Sequence, residues 1–305
     1  FMFLFGVLLF QINTGILPYA PDSTYGLFLL LIAFQIVTMG KTPFGDLKRS
    51  WLLILAGICV AIVGMAAGFI PGYLSEYVRI LVGSVLFFGG AALFLQLFLR
   101  EDKAKTWRHS SGVLQHLILA CGIVYIISCF CGLITLFPGI TTNQQTAVIL
   151  ILYAISLFYL AWCIQKIARK YPSSKQTAND IHARIDNTQT SRIWLVLKDT
   201  SLSLSLSVLL LVAVLLTLLG LVLIPVNLGL FPFSQDGLLG MLLVIFAIQM
   251  MALGETPVGA YKRSWLLVII GMTFATFGII SSVVPGVLIN LLQALIGLLN
   301  IIGGV

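Results

Sequence analysis

Residues that could carry acid–base or metal chemistry are few in this chain. Its 305 residues include 10 Asp and Glu, 17 Lys and Arg, and 3 His, the last being His109, His116 and His182. Asp22, Asp236, Glu76 and Arg79 adjoin turns, and no P-loop, zinc-protease motif or nucleophile elbow occurs. We therefore predict a protein that is not an enzyme, with no catalytic, cofactor-binding or metal-binding residues.

Cysteine chemistry is also not expected. All five cysteines lie in apolar stretches, where a free Cys is typically a small buried hydrophobe. Cys129 and Cys131 are two residues apart on a helix and therefore point to different faces. This spacing does not favour a metal or redox pair.

Four neutral polar residues remain within the apolar stretches: Gln35, Gln249, Asn13 and Asn227. One interpretation is an interhelical hydrogen bond, worth about 0.6 kcal/mol in a membrane. The other is a shared polar contact that lines a small cavity. Ionisable residues at membrane depth, the usual sign of a proton or ion path, are not found there.

The composition predicts an all-α integral membrane protein. Of all residues, 60% are hydrophobic and 9% charged, with a mean hydropathy of +1.10, whereas a soluble domain has about 25% charged residues. A helix needs about 20 apolar residues to cross a bilayer, and the runs are continuously apolar rather than alternating. The ten predicted spans are 1–17, 24–40, 50–70, 74–99, 112–137, 145–168, 203–230, 237–253, 264–284 and 287–305.

Basic residues predict the orientation of these spans. Sixteen of the 17 Lys and Arg fall in alternate connections, with Arg79 as the exception, and the other connections are Pro- and Gly-containing turns. Because basic loops stay in the cytoplasm, the turns are expected on the opposite face. The net charge of +7 is thus an orientation signal and not a sign of nucleic-acid binding. The expected partner is the lipid bilayer, with other membrane subunits as a further option.

An ungapped internal repeat is the most informative feature. The segment from Gly40 to Leu53 returns from Gly254 to Leu267, and the same shift matches 1–91 with 215–305, with 31 of the 91 positions identical. This pairing of positions is called the repeat alignment below. The repeat unit holds six helices, so both copies are expected to enter the membrane from the same side. We expect a first repeat at 1–170, a cytoplasmic linker with an interfacial segment at 171–200, and a truncated second repeat at 201–305.

The chain is interpreted as a fragment of a longer protein. The third helical hairpin of the first repeat is 112–170, and its counterpart in the second repeat is expected to follow Val305. The linker 171–200 has two interpretations, a plain connection and a docking segment at the membrane surface.

The repeated Lys-Arg-Ser-Trp loop has a structural interpretation and a lipid-binding one. Thr-Pro-x-Gly reverses the chain, and Ser50 is a plausible N-cap for the next helix. Paired basic residues beside an interfacial Trp also suit anionic lipid headgroups. The candidate headgroup contacts are Lys48, Arg49, Trp51, Lys262, Arg263 and Trp265.

The stretch KRSWLLILAGICVAIVGMAAGFIPGYLSEYVRILVGSVLFFGG and its second copy have the pattern W-L-L-x-x-x-G, then P-G, L-x-G and G-G. This pattern resembles the hairpin repeat of the HdeD family of bacterial inner-membrane proteins associated with acid resistance. The resemblance implies two fused six-helix units of three hairpins each, and it brings no catalytic residues. The Thr-Pro-x-Gly element is not part of the family pattern.

Two functions are consistent with the sequence. One is a non-enzymatic role in envelope or acid stress defence, or as a structural partner in a membrane assembly. The alternative is a carrier for a small neutral or lipidic molecule, with its site between the two repeats.

Overall fold

The computed structural model describes residues 1–39, 41–42, 45–46, 51–72, 74–99, 113–170, 204–253, 255–256, 259–260 and 264–303. The linker 171–200 and four candidate headgroup contacts, Lys48, Arg49, Lys262 and Arg263, lie outside these ranges. The described helices are α1 (Met2–Asn13), α2 (Pro21–Met39), α3 (Trp51–Phe69), α4 (Ser75–Leu99), α5 (Val113–Leu136), α6 (Asn143–Lys170), α7 (Leu204–Asn227), α8 (Gln235–Leu253), α9 (Trp265–Val283) and α10 (Ile289–Gly303).

The chain is a multi-pass membrane protein whose described residues form helices apart from two short β-ladders. Six of the described helices, α3, α4, α5, α6, α7 and α9, are long and apolar enough to cross a bilayer. In the other four, the stretches with described side chains are apolar but shorter: Met2–Asn13, Pro21–Val37, Gln235–Met251 and Ile289–Leu298. A count of ten spans therefore stays a prediction.

Two short β-ladders close the connections after α2 and α8. Strands β1 (Lys41–Thr42) and β2 (Gly45–Asp46) pair antiparallel, as do β3 (Glu255–Thr256) and β4 (Gly259–Ala260). The register is the same in both ladders, with the outer residue of each strand paired to the outer residue of its partner. The sequence predicts a chain reversal at these places, and the backbone ladder is the structure that makes it.

Helix pairing agrees with the expected hairpin of α5 and α6, which pack on each other across their Pro/Gly turn, but differs elsewhere. The sequence predicts pairs joined by the short Pro/Gly turns, yet α3 and α4 make few contacts across such a turn. The most extensive packing joins α2 with α3, α4 with α5, and α8 with α9, which are the pairs connected through the basic loops. Close approach depends on small residues facing each other, and turn length does not determine it.

Glycines set the crossing of α2 with α3 and of α8 with α9. A Cβ at Gly64 would stand 2.8 Å from the carbonyl oxygen of Gly26, and one at Gly278 would stand 2.6 Å from that of Gly240. Because the obstacle in each case is backbone, only glycine permits these crossings. The repeat alignment matches Gly26 with Gly240 and Gly64 with Gly278, so the same contact occurs at both places.

Residues 1–170, here called the first half, meet residues 204–303, the second half, through a reciprocal pair of hydrogen bonds. Ala20 N donates to Val283 O at 3.0 Å, and Ser234 N donates to Phe69 O at 2.9 Å. The repeat alignment matches Ala20 with Ser234 and Phe69 with Val283. Such an exchange, in which each side supplies the same donor and the same acceptor, is typical of a two-fold arrangement.

The seam between the halves is closely packed and mainly apolar among the described residues. One buried cluster draws side chains from α2, α3, α7, α8 and α9, and helix α8 packs directly on α3, where Met241 contacts Gly68. The largest fully buried side chains of this cluster include Leu27, Leu30, Ile54, Met65, Phe69, Leu211, Leu215 and Met241. The two halves therefore share a single core.

The Pro/Gly turns adjoin one end of the helical bundle, which we call the turn end. Asp22 Oδ2 accepts a hydrogen bond from Gly72 N at 2.7 Å, and Gly72 has φ +84°, which favours glycine. Ser281 Oγ donates to Asp236 O at 3.3 Å. The sequence places Asp22 at a turn, but the structure buries it, and within the described residues Asp22 Oδ1 and Asp236 Oδ1 have no hydrogen-bond partner.

Candidate functional site

A cavity of about 220 Å³, partly open to the surface, is lined by α1, α2, α4, α5 and α6 of the first half. Its walls come from the beginning of α2, the end of α5 and the beginning of α6, all near the turn end. Its lining includes Tyr19, Thr24, Phe28, Leu86, Thr135, Thr141, Asn143, Thr146 and Leu150.

The turn end of this cavity is polar and uncharged. Thr141 Oγ1 and Thr146 Oγ1 are hydrogen-bonded at 2.9 Å, and Thr135 Oγ1 donates to Cys131 O at 2.8 Å. Thr24 Oγ1 donates in the same way to Ala20 O at 2.8 Å. Because their protons are used on the backbone, Thr135 and Thr24 offer acceptor lone pairs to a ligand.

Tyr19 adds a phenol to the same end, in the connection between α1 and α2. Burial raises the pKa of Tyr19, so its hydroxyl stays protonated and neutral. The polar end therefore fits a ligand with neutral hydroxyl or amide groups. It offers nothing that would compensate a buried charge.

The other end of the cavity is apolar and borders a second cavity of about 550 Å³. Phe1, Met2, Phe28 and Leu86 line both cavities, and the rings of Phe1 and Phe28 are 6.0 Å apart between centroids. The larger cavity continues toward the opposite end of the bundle along α2, α4 and α6. Together the two cavities form an amphipathic space, polar at the turn end and mainly apolar beyond it.

The structure separates the four neutral polar candidates. Gln35 lines the larger cavity, whereas Gln249 is half-buried on α8 and lines neither cavity. Asn13 and Asn227 are the last residues of α1 and α7 and are exposed. Within the described residues no hydrogen bond joins any two of the four, so only Gln35 belongs to the candidate site.

The candidate headgroup contacts are described only at Trp51 and Trp265. These are the first residues of α3 and α9, and both side chains are exposed. Ser264 Oγ accepts from Leu267 N at 3.4 Å and caps α9. The predicted cap at Ser50 lies outside the described residues, and binding of lipid headgroups stays a prediction.

No family model, no curated protein and no solved structure matches the chain. Its function must therefore be inferred from its own geometry.

The hydroxyl groups of the smaller cavity were not predicted as functional residues. The repeat alignment could have identified Tyr19 and Thr24, because the counterparts of these two residues in the second half are apolar; Thr135, Thr141 and Thr146 lie outside the aligned range 1–91. Phe233 corresponds to Tyr19, and Leu238 corresponds to Thr24. A polar residue in one copy and an apolar one in the other is the signal that distinguishes this site from shared packing.

The opposite end of α6 carries an aromatic and basic group suited to a membrane boundary. The rings of Tyr159 and Trp162 stack at 6.0 Å, and Lys166 Nζ lies 4.7 Å from the centre of the Trp162 ring. His116 Nδ1 is 3.0 Å from Tyr159 Oη. Among the residues that the structure describes, no three His, Cys, Asp or Glu side chains come together as metal ligands.

Proposed function

We propose that this protein is a non-enzymatic membrane protein that binds a small uncharged amphiphile in the cavities of its first half. The observation that carries this proposal is the amphipathic shape of the space, with neutral acceptors at the turn end and apolar walls beyond. A glycerol-like or amide head fits near Thr135 and Thr146, and an acyl chain fits past Phe28 and Leu86. We place the carrier site, which was expected between the halves, in the first half, because the residues that line both cavities belong to it.

The absence of charge supports a neutral ligand. Within the described residues, no Asp, Glu, Lys or Arg lines either cavity. A charged group brought into such a site would lose its hydration without compensation, at a free-energy cost on the order of several kcal/mol. Hydroxyl and amide groups need only hydrogen bonds, which the threonines, Tyr19, Asn143 and Gln35 offer.

The proposal includes ten spans in two parallel copies. They cross a bacterial inner membrane, with the basic loops on its cytoplasmic side. The repeat alignment supports this arrangement. At matched positions the two halves have identical residues, the same glycine crossings and the two reciprocal hydrogen bonds. Six helices per repeat unit return the chain to the same face. Lys166 and Trp162 at the end of α6 farthest from the turns agree with this orientation.

Photolabelling of the purified full chain in lipid nanodiscs tests the binding site. The probe is a monoacylglycerol with a diazirine in its acyl chain, and mass spectrometry maps the labelled residues. We expect labelling of cavity residues such as Leu86 and Leu150, in competition with unlabelled monoacylglycerol. Labelling spread over the lipid-facing surface, with none in the cavities, would refute the proposal.

Replacing cavity threonines sharpens this test. Thr135→Val with Thr146→Val removes two hydroxyls, and at about 0.6 kcal/mol each the labelling should fall roughly eightfold. Thr276→Val is the matched control, because Thr276 Oγ1 makes the same kind of bond, to Met272 O at 2.8 Å, on an exposed surface. Likewise Gln35→Leu should change labelling in the larger cavity and Gln249→Leu should not.

A second candidate function is a structural role, either in envelope stress defence, as the HdeD-like pattern suggests, or within a membrane assembly. It is favoured by the apolar packing between the halves and by the glycine-dependent helix crossings, which suit a scaffold. Deletion of the gene followed by acid shock tests the stress version. Unchanged survival would exclude it, whereas co-purification in a stable complex would support the assembly version.

A further inference from the structure

Corresponding residues of α1 and α7 differ in their surroundings. Those on α1 pack against another helix, whereas those on α7 are exposed within the described structure. Gly6 on α1 packs against α6, where a Cβ would stand 2.8 Å from Ile151 and 3.1 Å from the carbonyl oxygen of Ala147. Gly220 on α7 is its counterpart in the repeat alignment, and nothing within the described residues lies within 4 Å of a Cβ there. A glycine retained at the same position thus has a helix against it in only one half.

Neighbouring positions show the same difference. Leu9 is 5% exposed in a buried cluster with Cys131, Ala147 and Leu150, whereas its counterpart Leu223 is 39% exposed. The opposite side of α7 is not free, because Leu211 and Leu215 are buried in the common core. The uncovered face of α7 is therefore the one that, on α1, is occupied by α6.

Helix α10 repeats this pattern one helix away. Gly83 on α4 packs against Leu136 of α5, with a Cβ 2.8 Å from its Cγ, while around its counterpart Gly297 no described atom lies within 4 Å. Phe87 on α4 contacts Gly132 of α5, and its counterpart Ile301 is 69% exposed. Both contact surfaces for the pair α5 and α6 are therefore present in the second half without an occupant in the described residues.

We infer that the face of α7 and α10 around Gly220 and Gly297 is the docking surface for a transmembrane helical hairpin of the α5–α6 type from outside residues 1–303. The occupant is specified by what covers the first half: two mainly apolar helices that present small residues such as Ala147 and Gly132 at the contact. Helix association in lipid depends on such close packing, because lipid chains are as apolar as the side chains. This inference rests on the proposed two-copy arrangement and is independent of the cavity ligand.

The test adds a hairpin of the α5–α6 type in register. Val305 corresponds to Ala91 in the repeat alignment, so a second copy of residues 92–170 is fused directly after Val305 in a cysteine-free chain. Gly220→Cys is paired with Cys at Ala147 of the added copy, because Gly6 contacts Ala147 in the first half. Oxidation in membranes should then form an intramolecular disulfide in most molecules. The control is a chain with residues 51–99 added instead, which has one Cys in the added α3 at the same depth. This chain should form at least tenfold less disulfide.

Two further variants identify the surface. Ile269→Cys is a control for lipid exposure, since Ile269 and its counterpart Leu55 are exposed in both halves, and it should form no disulfide. Gly220→Leu should abolish a disulfide between Gly297→Cys and Cys at Leu136 of the added copy, while the chain itself stays folded.

Disulfides that link two chains through Gly220→Cys would identify a second copy as the occupant and overturn the proposal. Equal yields at Gly220→Cys and Ile269→Cys would overturn it as well. Topology labelling and photolabelling report separately on the two-copy arrangement and on the cavity.

Discussion

The two halves of the molecule share residues but differ in what surrounds them. At the crossings of α2 with α3 and of α8 with α9, corresponding glycines face the same backbone atoms. On α1 and α7, corresponding glycines differ completely, since Gly6 is buried by α6 and Gly220 is open. The same residue type at the same position can thus be essential for packing in one half and free of contacts in the other.

The cavities sharpen this difference. They are lined only by the first half, where α5 and α6 enclose a space against α1, α2 and α4. The second half has no described counterpart of α5 and α6, and its residues equivalent to Tyr19 and Thr24 are apolar. Shared packing and unshared chemistry can therefore be separated position by position.

The largest expected effect is a loss of folding stability that is equal for corresponding variants in the two halves. Gly64→Leu and Gly278→Leu each drive a side chain into the backbone of the facing helix, so each should destabilise the fold by about 3 kcal/mol or more. Thermal unfolding in detergent measures this change. Gly122→Leu, with no described atom within 4 Å of its Cβ position, is the control and should unfold like the unmodified protein. A loss in one half alone would mean that the two crossings are not equivalent.

A smaller loss of folding stability should differ between the corresponding glycines of α1 and α7. Gly6→Leu should destabilise the fold by about 1–3 kcal/mol, because Ile151 and the backbone of Ala147 leave no room for a side chain. Gly220→Leu should change stability by less than about 0.5 kcal/mol, as expected for a site without neighbours. The same unfolding measurement compares the two variants. Equal losses would show that α7 is covered in the unmodified protein, contrary to the contacts described.

The smallest expected effect concerns the two turn carboxylates. Asp22→Ala leaves Gly72 N without its partner and should cost about 1–2 kcal/mol, while Asp22→Asn keeps an acceptor and should restore most of the stability. Asp236→Ala should cost less than half as much as Asp22→Ala, because within the described residues the Asp236 carboxylate has no counterpart of the hydrogen bond from Gly72 N to Asp22 Oδ2. Unfolding in detergent ranks the three variants, and equal costs for both alanine variants would contradict this difference.

Much of the fold could be predicted from where charge is missing. The uncharged runs coincide with helices, and Pro71-Gly72 and Pro285-Gly286 end α3 and α9 within two residues. Helix pairing was predicted correctly for α5 with α6 but not for the other hairpins, because a short turn suggests neighbours whereas facing glycines determine close packing. Only the contacts show that Gly26 faces Gly64 across the basic connection.

The candidate site was predicted in part. Gln35 was singled out as a polar residue in an apolar helix, and it lines a cavity. Its counterpart Gln249 does not, since a sequence repeat fixes corresponding positions but not the helices that enclose them. The buried Asp22 was also missed, because proximity to a turn suggests exposure and does not reveal the second turn that packs over it.

The central claim, that two copies lie parallel in the membrane, is tested most directly by cysteine accessibility. Single cysteines replace Ser50 or Ser264 in a chain whose five native cysteines are changed to alanine, and Gln144→Cys reports on the turn end. A membrane-impermeant thiol reagent is added to intact cells. The account predicts labelling of Gln144→Cys at once, and of Ser50→Cys and Ser264→Cys only after the membrane is opened. Labelling of one serine position but not the other on intact cells would require an odd number of spans between them and would contradict the parallel arrangement.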